Sequence, residues 1–345
     1  MGNKVYCGLD FHKNVSELCV MDFEGKILDR VRLAADKLVT YLSNKSEYHI
    51  GIESSGGVFD ITAKLEATGH KVTIINASQF RGIGITGKKN DMRDAEALAT
   101  ALRLGFVPEV HKKTLYSRQM KSLLASRDIV VRTRTSLTNH VRGIMREYGL
   151  PMPAGAPAFW EQVCSRLKEI ECEIVRGVLS GLVDQATALK DEELRIEKAL
   201  GDITKTDERV KRLETIPGVG LLTAIAFIAT IDDVNRFKDA KHLASYLGLT
   251  PRENSSGGRV KFGSITKCGP ELLRRYLVHG ARSTFRYAPK PENKIRCWAA
   301  GVEKRSGTNK AVVALAHKNS RICFALLRDE TVFGLRITKN KKLAA

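Results

Sequence analysis

The chain has 345 residues, of which 57 are Lys or Arg and 38 are Asp or Glu, so its formal charge is +19. This excess of positive charge is far from the balance expected of a metabolic enzyme and indicates a polyanionic partner. Because the basic residues are spread over most of the chain, we expect folded surfaces that bind nucleic-acid backbone, with a membrane surface as the weaker alternative. Hydrophobic residues make up 43% of the sequence, enough for the cores of two domains.

Targeting and redox signals are weak. No run of 18 or more apolar residues occurs, and residues 1–10 lack the pattern of a signal peptide, which predicts a soluble, cytoplasmic protein. The cysteines are odd in number and show no metal-ligand spacing, so we interpret them as reduced core fillers and expect no zinc. They are Cys7, Cys19, Cys164, Cys172, Cys268, Cys297 and Cys323.

The first hundred residues alternate strand and helix patterns. Strands are predicted at Val5–Leu9, Ser16–Asp22, Ile27–Leu33, Tyr48–Ile52 and Lys71–Ala77, and helices at Asp36–Ser43, Gly57–Thr68 and from Asn90 to Leu104. This order predicts an α/β domain over residues 1–108.

A basic helical region follows, over residues 109–214. The helix predicted at His111–Tyr148 carries nine Lys and Arg residues, which either form a solvated face or grip a nucleic-acid backbone. After three prolines, Phe159–Glu214 is predicted to form two amphipathic helices. The second, Asp191–Glu214, has heptad-like spacing, which favours a helical hairpin or coiled coil that mediates self-association.

A mainly helical C-terminal domain is predicted over residues 215–334, with a helix at Phe237–Leu247 and a basic tail at 335–345. The run Glu214–Gly220 resembles a helix-hairpin-helix turn, in which Gly218 and Gly220 would expose backbone amides to a phosphate. A plain helix–helix turn is the alternative.

Four acidic residues fall at the ends of predicted elements. Asp10 ends the first strand, Glu53 ends a later strand, and the i, i+3 spacing of Asp91 and Asp94 places both on one helix face. Such a cluster would bind hard cations such as Mg²⁺, which activate a nucleophile and stabilise a leaving oxygen at phosphorus. Each acid alone has a structural explanation, as a cap, a turn former or an exposed strand end. Together, their order resembles the RNase H-like fold of the RuvC type.

The C-terminal part carries a second resemblance. Gly248–Arg252 leads into Glu253–Arg259, and Lys267–Pro270 precedes a basic helix with Arg274 and Arg275. With the acids, these segments resemble transposases of the insertion-sequence one-ten family, which includes the Piv-type DNA invertases, over essentially the whole chain. The sequence departs from the family form at Ser54–Phe59 and at Asn90. Neither change removes one of the four acids or Ser256, which matches the serine of the family.

The resemblance implies a RuvC-like DEDD domain joined through a coiled coil to a domain with a serine nucleophile. The matching residue is Ser256, with Ser255 one position away. The residues alone favour a flexible polar turn there, since no His or Lys base is visibly paired with the serine.

The resemblance further implies a recombinase of a mobile element that holds the cut strand as a phosphoserine. Asp10, Glu53, Asp91 and Asp94 would bind Mg²⁺ (or Mn²⁺), and a guide RNA and a homo-oligomer, dimer or tetramer, are expected. The expected nucleic-acid contacts are Gly218, Gly220, Arg252, Arg259, Lys261, Lys267, Arg274 and Arg275.

Two other functions fit the residues. A RuvC-like junction endonuclease would use metal-activated water, with Ser256 structural. A non-catalytic nucleic-acid-binding protein would use the acids only as caps and turns.

Overall fold

The computed structural model describes residues 4–76, 91–255, 259, 261–287 and 294–334, without the side chains of Asp91 and Lys294. The chain divides into two compact units, Met1–Lys113 and Thr114–Ala345. The predicted strand end at Ala77, the predicted helix cap at Asn90 and the basic tail lie outside the described residues.

The first unit has the predicted order of strands and helices. The elements are β1 (Val5–Phe11), β2 (Val15–Met21), β3 (Ile27–Ala34), α1 (Leu38–Ser43), β4 (Tyr48–Glu53), α2 (Val58–Ala67), β5 (Lys71–Ile75) and α3 (Asp91–Arg103). The strands form a sheet in the order β3-β2-β1-β4-β5. The hairpin strands β1, β2 and β3 pair antiparallel, whereas β1, β4 and β5 pair in parallel.

The two faces of the sheet are covered by different helices. Cys7 and Leu9 of β1 pack in a core with residues of α1 and α2. On the opposite face, Cys19 and Met21 pack against Ala95 and Ala99 of α3. This alternation follows from the two-residue period of a strand.

The first unit extends beyond the predicted boundary at residue 108. The backbone N–H of Val110 donates to Ile74 O at 2.7 Å, and that of Asn76 donates to Pro108 O at 2.9 Å. Residues 108–110 therefore hydrogen-bond alongside β5, which places them in the first unit.

The second unit is largely helical. Its elements are α4 (Leu115–Glu147), α5 (Ala156–Leu167), α6 (Glu173–Thr204), α7 (Glu208–Glu214), α8 (Leu221–Ile231), α9 (Ala240–Tyr246), β6 (Pro251–Glu253), β7 (Phe262–Ile265), α10 (Glu271–Tyr287), α11 (Lys294–Ser306) and α12 (Thr308–Arg328). The core surrounds α8, in which Thr223–Ile231 are all buried. The helix predicted at Phe237–Leu247 is shorter, because Asp239 accepts hydrogen bonds from the backbone of Lys241 and His242 and thereby starts α9.

The long helices α4 and α6 pack against each other in opposite directions. Met120 shares a core with Leu200, whereas Met145 shares one with Leu179. The prediction of one helix over 191–214 is wrong, because α6 ends at Thr204 and Asp207 caps a separate helix, α7, by accepting from Arg209 N. A coiled coil that mediates self-association stays a prediction.

Several arginines of the predicted basic helix form ion pairs within the unit. Nη2 of Arg127 lies 2.9 Å from Oε1 of Glu193 and 2.5 Å from Oε1 of Glu197. Nη2 of Arg134 lies 2.9 Å from Oε2 of Glu193. The side chains of Arg127 and Arg134 are only 14% and 19% exposed. They form part of the α4–α6 packing, a role that neither sequence alternative anticipated.

The cysteines only partly match their predicted role as core fillers. Cys7, Cys19 and Cys323 are buried, but Cys164, Cys172, Cys268 and Cys297 are exposed. The prediction is wrong for these four, because Cys164 and Cys297 lie on solvent-facing positions of α5 and α11, and Cys172 and Cys268 lie in connections between elements. No helix in the described part of the chain has the length and apolar character needed to cross a membrane.

Candidate functional site

Asp10 lies near the end of β1, on the sheet face that α3 covers. The residue is 7% exposed, and its Oδ2 lies 3.2 Å from Nε2 of His12. Gly8 lies on the same face and allows α3 to approach closely, because a Cβ at Gly8 would lie 1.8 Å from Ala95 O. The missing side chain at Gly8 therefore sets the position of α3 relative to Asp10.

Glu53 is the last residue of β4 and lies level with Asp10. The parallel register pairs Leu9 with Ile52, so Asp10 and Glu53 follow at the same height. Residues level with each other on neighbouring strands face the same side of a sheet. Half-buried Glu53 therefore extends from the same edge as Asp10.

The helix α3 begins at this edge. At the C-terminal end of α3, Arg103 donates a hydrogen bond to Phe23 O at 3.3 Å. Phe23 lies in the turn between β2 and β3, which is at the other end of these strands from Asp10. Asp94 is half-buried in the first turn of the helix. Asp91 is the first residue of α3, but its side chain lies outside the described residues.

The backbone thus brings the four predicted acidic positions to one edge of the sheet. Among the described side chains, which exclude that of Asp91, no three His, Cys, Asp or Glu residues are grouped closely enough to hold a metal ion. The set of ligands stays a prediction.

A fifth acid, Glu17, was missed by the sequence analysis. It lies directly opposite Asp10 across the β1–β2 pair and is also 7% exposed. Its Oε1 lies 3.4 Å from Nε of Arg32, and its Oε2 is buried without a hydrogen-bond partner among the described residues. The available signal was the position of Glu17 directly before the apolar run Leu18–Met21 of β2, in which every residue from Ser16 to Met21 is buried.

The region of the predicted nucleophile lies in the β6–β7 hairpin of the second unit. Ser256 lies outside the described residues. Its neighbour Ser255 is exposed, donates to Oε1 of Glu253 at 2.7 Å and accepts from the backbone N of Lys261 at 3.3 Å. Ser255 therefore has a structural role in this hairpin.

The predicted nucleic-acid contacts fall into two groups. Arg252, Arg259, Lys261 and Lys267 are exposed in or beside the hairpin. By contrast, Arg274 is 9% exposed, and its guanidinium donates to Leu247 O at 3.0 Å and to Cys268 O at 2.7 Å. This side chain holds the loop before α10, which is a structural role. Arg275 forms an ion pair with Asp128 of α4.

The glycine turn at 217–220 joins α7 to α8, as the sequence suggested. Gly218 has a φ of 86°, and a Cβ there would lie 2.5 Å from Gly280 O. Asn319 donates to Pro217 O at 3.1 Å. Close packing against α10 explains Gly218, whereas Gly220 is exposed.

Two family models match the chain. One, described as Transposase IS116/IS110/IS902 family, matches residues 210–296, and the other, a DEDD transposase model described as Transposase, matches residues 7–150. The transposase for insertion sequence element IS1111A of Coxiella burnetii is 33% identical over 94% of this chain and 90% of its own length. The chain belongs to the IS110 family of transposases.

Further relatives agree with this assignment. A probable family 20 transposase of Pseudomonas aeruginosa is 31% identical over 94% of this chain and 97% of its own length. A pilin gene-inverting protein of Moraxella lacunata is 24% identical over 97% and 99% of the two chains. This transposase is therefore an enzyme of a mobile element that cuts and rejoins DNA.

DEDD transposase domains generally depend on a divalent cation, and this sheet edge of the transposase carries acidic residues. Its donors are carboxylate oxygens, the ligands that hard cations prefer. Although Oε1 of Glu17 lies 3.4 Å from Arg32, its buried Oε2 beside Asp10 has no hydrogen-bond partner among the described residues, and this favours a further positive charge there.

Proposed function

We propose that this transposase cuts DNA with Ser256 as the nucleophile and with Asp10, Glu53, Asp91 and Asp94 as ligands of Mg²⁺ or Mn²⁺. The observation that carries the proposal is the shared sheet edge, where Asp10 and Glu53 lie level and α3 begins. A bound divalent ion would polarise the scissile phosphate and stabilise the departing oxygen.

The topology supports an RNase H-like fold of the RuvC type for the first unit. The central strand β1 pairs antiparallel with β2 and in parallel with β4, and both acidic strand residues lie on these central strands. An acidic helix crosses the face on which they lie.

The protein groups would act in a transesterification. The hydroxyl oxygen of Ser256 bonds to phosphorus as the bond from phosphorus to the 3′ oxygen breaks, and the serine proton is lost as the 3′ oxygen becomes a hydroxyl. Rejoining reverses the step, with a 3′ hydroxyl displacing the serine. Because one phosphodiester replaces another, no external energy source is required.

The hydrogen bonds of Ser255 support the choice of Ser256. The Ser255 hydroxyl is engaged by Glu253 and Lys261 within the hairpin, so its removal should loosen a turn.

We propose that the exposed Arg252, Arg259, Lys261 and Lys267 hold the DNA backbone near this hairpin. A structured guide RNA, supported by the +19 charge and the family resemblance, and a dimer or tetramer, supported by the family resemblance, complete the proposal.

The test is a recombination assay on element-end and target DNA, with and without co-expressed flanking RNA. Wild type is compared with Asp10→Ala, Ser255→Ala and Ser256→Ala, and denaturing gels detect a covalent protein–DNA adduct. We expect an adduct in wild type and Ser255→Ala and none in Ser256→Ala. Free hydrolysed DNA ends that persist in Ser256→Ala would instead indicate a junction endonuclease.

A further inference from the structure

A cleft between α9 and α12 carries positive charge that the sequence analysis did not single out. It has a volume of about 530 Å³ and is lined by Asp239 and Lys241 at α9 and by Lys318, Arg321 and Arg328 of α12, among others. Lys241 and Arg321 are exposed, and Lys318 is half-buried. The cleft lies wholly within the second unit.

The charges of this cleft are poorly compensated within the described chain. Lys241, Lys318 and Arg321 form no ion pair among the described residues, and Nζ of Lys318 lies 4.3 Å from the centroid of the Trp298 ring. Arg328 pairs with Asp329 at 2.7 Å, and the carboxylate of Asp239 accepts two backbone hydrogen bonds of 2.8 Å that cap α9. By contrast, Arg127 and Arg134 of α4 are neutralised by glutamates of α6.

The spacing of the cations indicates the shape of the ligand. Lys318, Arg321 and Arg328 are three and seven residues apart, so they lie on one helix face. With a rise of 1.5 Å per residue, this row is about 15 Å long. A single small anion cannot contact both ends of the row, whereas a nucleic-acid strand carries regularly spaced charges along such a length.

We propose that this cleft binds the phosphodiester backbone of DNA, independently of the bases and of the serine chemistry proposed above. DNA is the polyanion that a transposase must hold, and the cleft lies outside the hairpin segment that carries Ser256. The cations act as backbone contacts, which fix the position of the duplex without reading its sequence.

The test measures binding of a labelled DNA duplex to the full chain by fluorescence anisotropy over a range of salt concentrations. The variants are Arg321→Ala, Lys241→Ala, their double variant and the charge-preserving Arg321→Lys. The matched control is Lys168→Ala, which removes one exposed positive charge after α5. Thermal unfolding measures whether each variant is folded. If the double variant is not folded, the two single variants provide the test.

Each lost phosphate contact should reduce the slope of log affinity against log salt by about 0.9 and weaken binding about fivefold near 0.15 M salt. We expect this from each alanine variant, about 25-fold weaker binding from the double variant, and near-wild-type values from Arg321→Lys and Lys168→Ala. Wild-type DNA binding by the double variant would overturn the proposal. Weaker binding of labelled RNA with unchanged binding of DNA would also overturn it. So would an equal loss of DNA affinity in the control variant Lys168→Ala.

Discussion

Glu17 lies directly opposite Asp10 across the β1–β2 pair, and both residues are 7% exposed. Directly opposed residues have Cβ atoms about 4.5–5.5 Å apart on one sheet face, so two buried carboxylates share a small volume. Arg32 contacts Glu17 and His12 contacts Asp10. Because like charges at this distance repel, a divalent cation at the edge would stabilise the pair.

Glu17→Gln should therefore weaken metal binding. The substitution keeps the shape but removes the charge beside Asp10, and we expect the affinity for Mn²⁺ to fall about 10- to 100-fold, as when a group that supports a metal ligand is lost. Calorimetric titration of the metal-free protein measures this directly. Glu24→Gln, in the exposed turn after β2, is the control. Equal Mn²⁺ affinity in the two variants would rule out a role for Glu17 at the metal.

Gly8→Ala should displace α3. The new Cβ would lie 1.8 Å from Ala95 O and 2.6 Å from Ala99 N, so the helix must shift. We expect a loss of about 1–3 kcal/mol in the free energy of unfolding and loss of recombination, because α3 carries Asp91 and Asp94.

The control for Gly8→Ala is Gly143→Ala in α4, where a Cβ would meet no atom within 4 Å. It should stabilise the helix by up to about 1 kcal/mol. Chemical denaturation and the recombination assay measure both variants. Full activity in a folded Gly8→Ala protein would contradict the role assigned to this close packing.

Arg127→Met should destabilise the second unit. It removes the guanidinium partner of Glu197 and leaves Glu193 paired with Arg134 alone, in a site where Arg127 is 14% exposed. We expect the free energy of unfolding to fall by about 1.5–3 kcal/mol, as when a hydrogen bond to a charged group is lost. Arg195→Met removes a pair with Glu192 on the surface of α6, where Arg195 is 77% exposed, and should cost much less because solvent screens exposed ion pairs. Similar losses in urea denaturation would contradict this difference.

The pair of Tyr116 and Asp207 should make stability depend on pH at both extremes. Burial and the hydrogen bond to Asp207 raise the pKa of Tyr116 to about 12. Burial alone would raise the pKa of Asp207, but hydrogen bonds from Arg209 and Tyr116 outweigh it and lower that pKa.

Since the folded state holds the Tyr116 proton more tightly, its contribution is present below pH 10 and is lost as the pH rises from 10 towards 12. The Asp207 contribution is present above its ordinary pKa of 3.8 and is lost as the pH falls through the lowered value. Free energies of unfolding measured against pH should show both losses, and Tyr116→Phe should remove the alkaline one. An unchanged alkaline slope in Tyr116→Phe would assign it to another group.

Local patterns in the sequence determined the elements of the first unit and the places of its acids. The strand patterns at Val5–Leu9, Ser16–Asp22 and Ile27–Leu33 predicted β1, β2 and β3, because such signals act over a few residues. For the same reason, the acids were predicted at strand ends and at the start of a helix, where the structure has Glu53 and Asp91.

Only the tertiary structure decided which charges have partners. Glu17, Arg127 and Arg274 are all charged residues in patterns that fit an exposed face, yet packing across strands and helices buries them. Arg127 meets glutamates 66 and 70 positions away, and Arg274 meets the carbonyl of Leu247. Such partners are distant in sequence, so no local period reports them. The cleft between α9 and α12 could not be predicted for the same reason, since its positive charge depends on which Lys and Arg residues the fold leaves without a carboxylate partner.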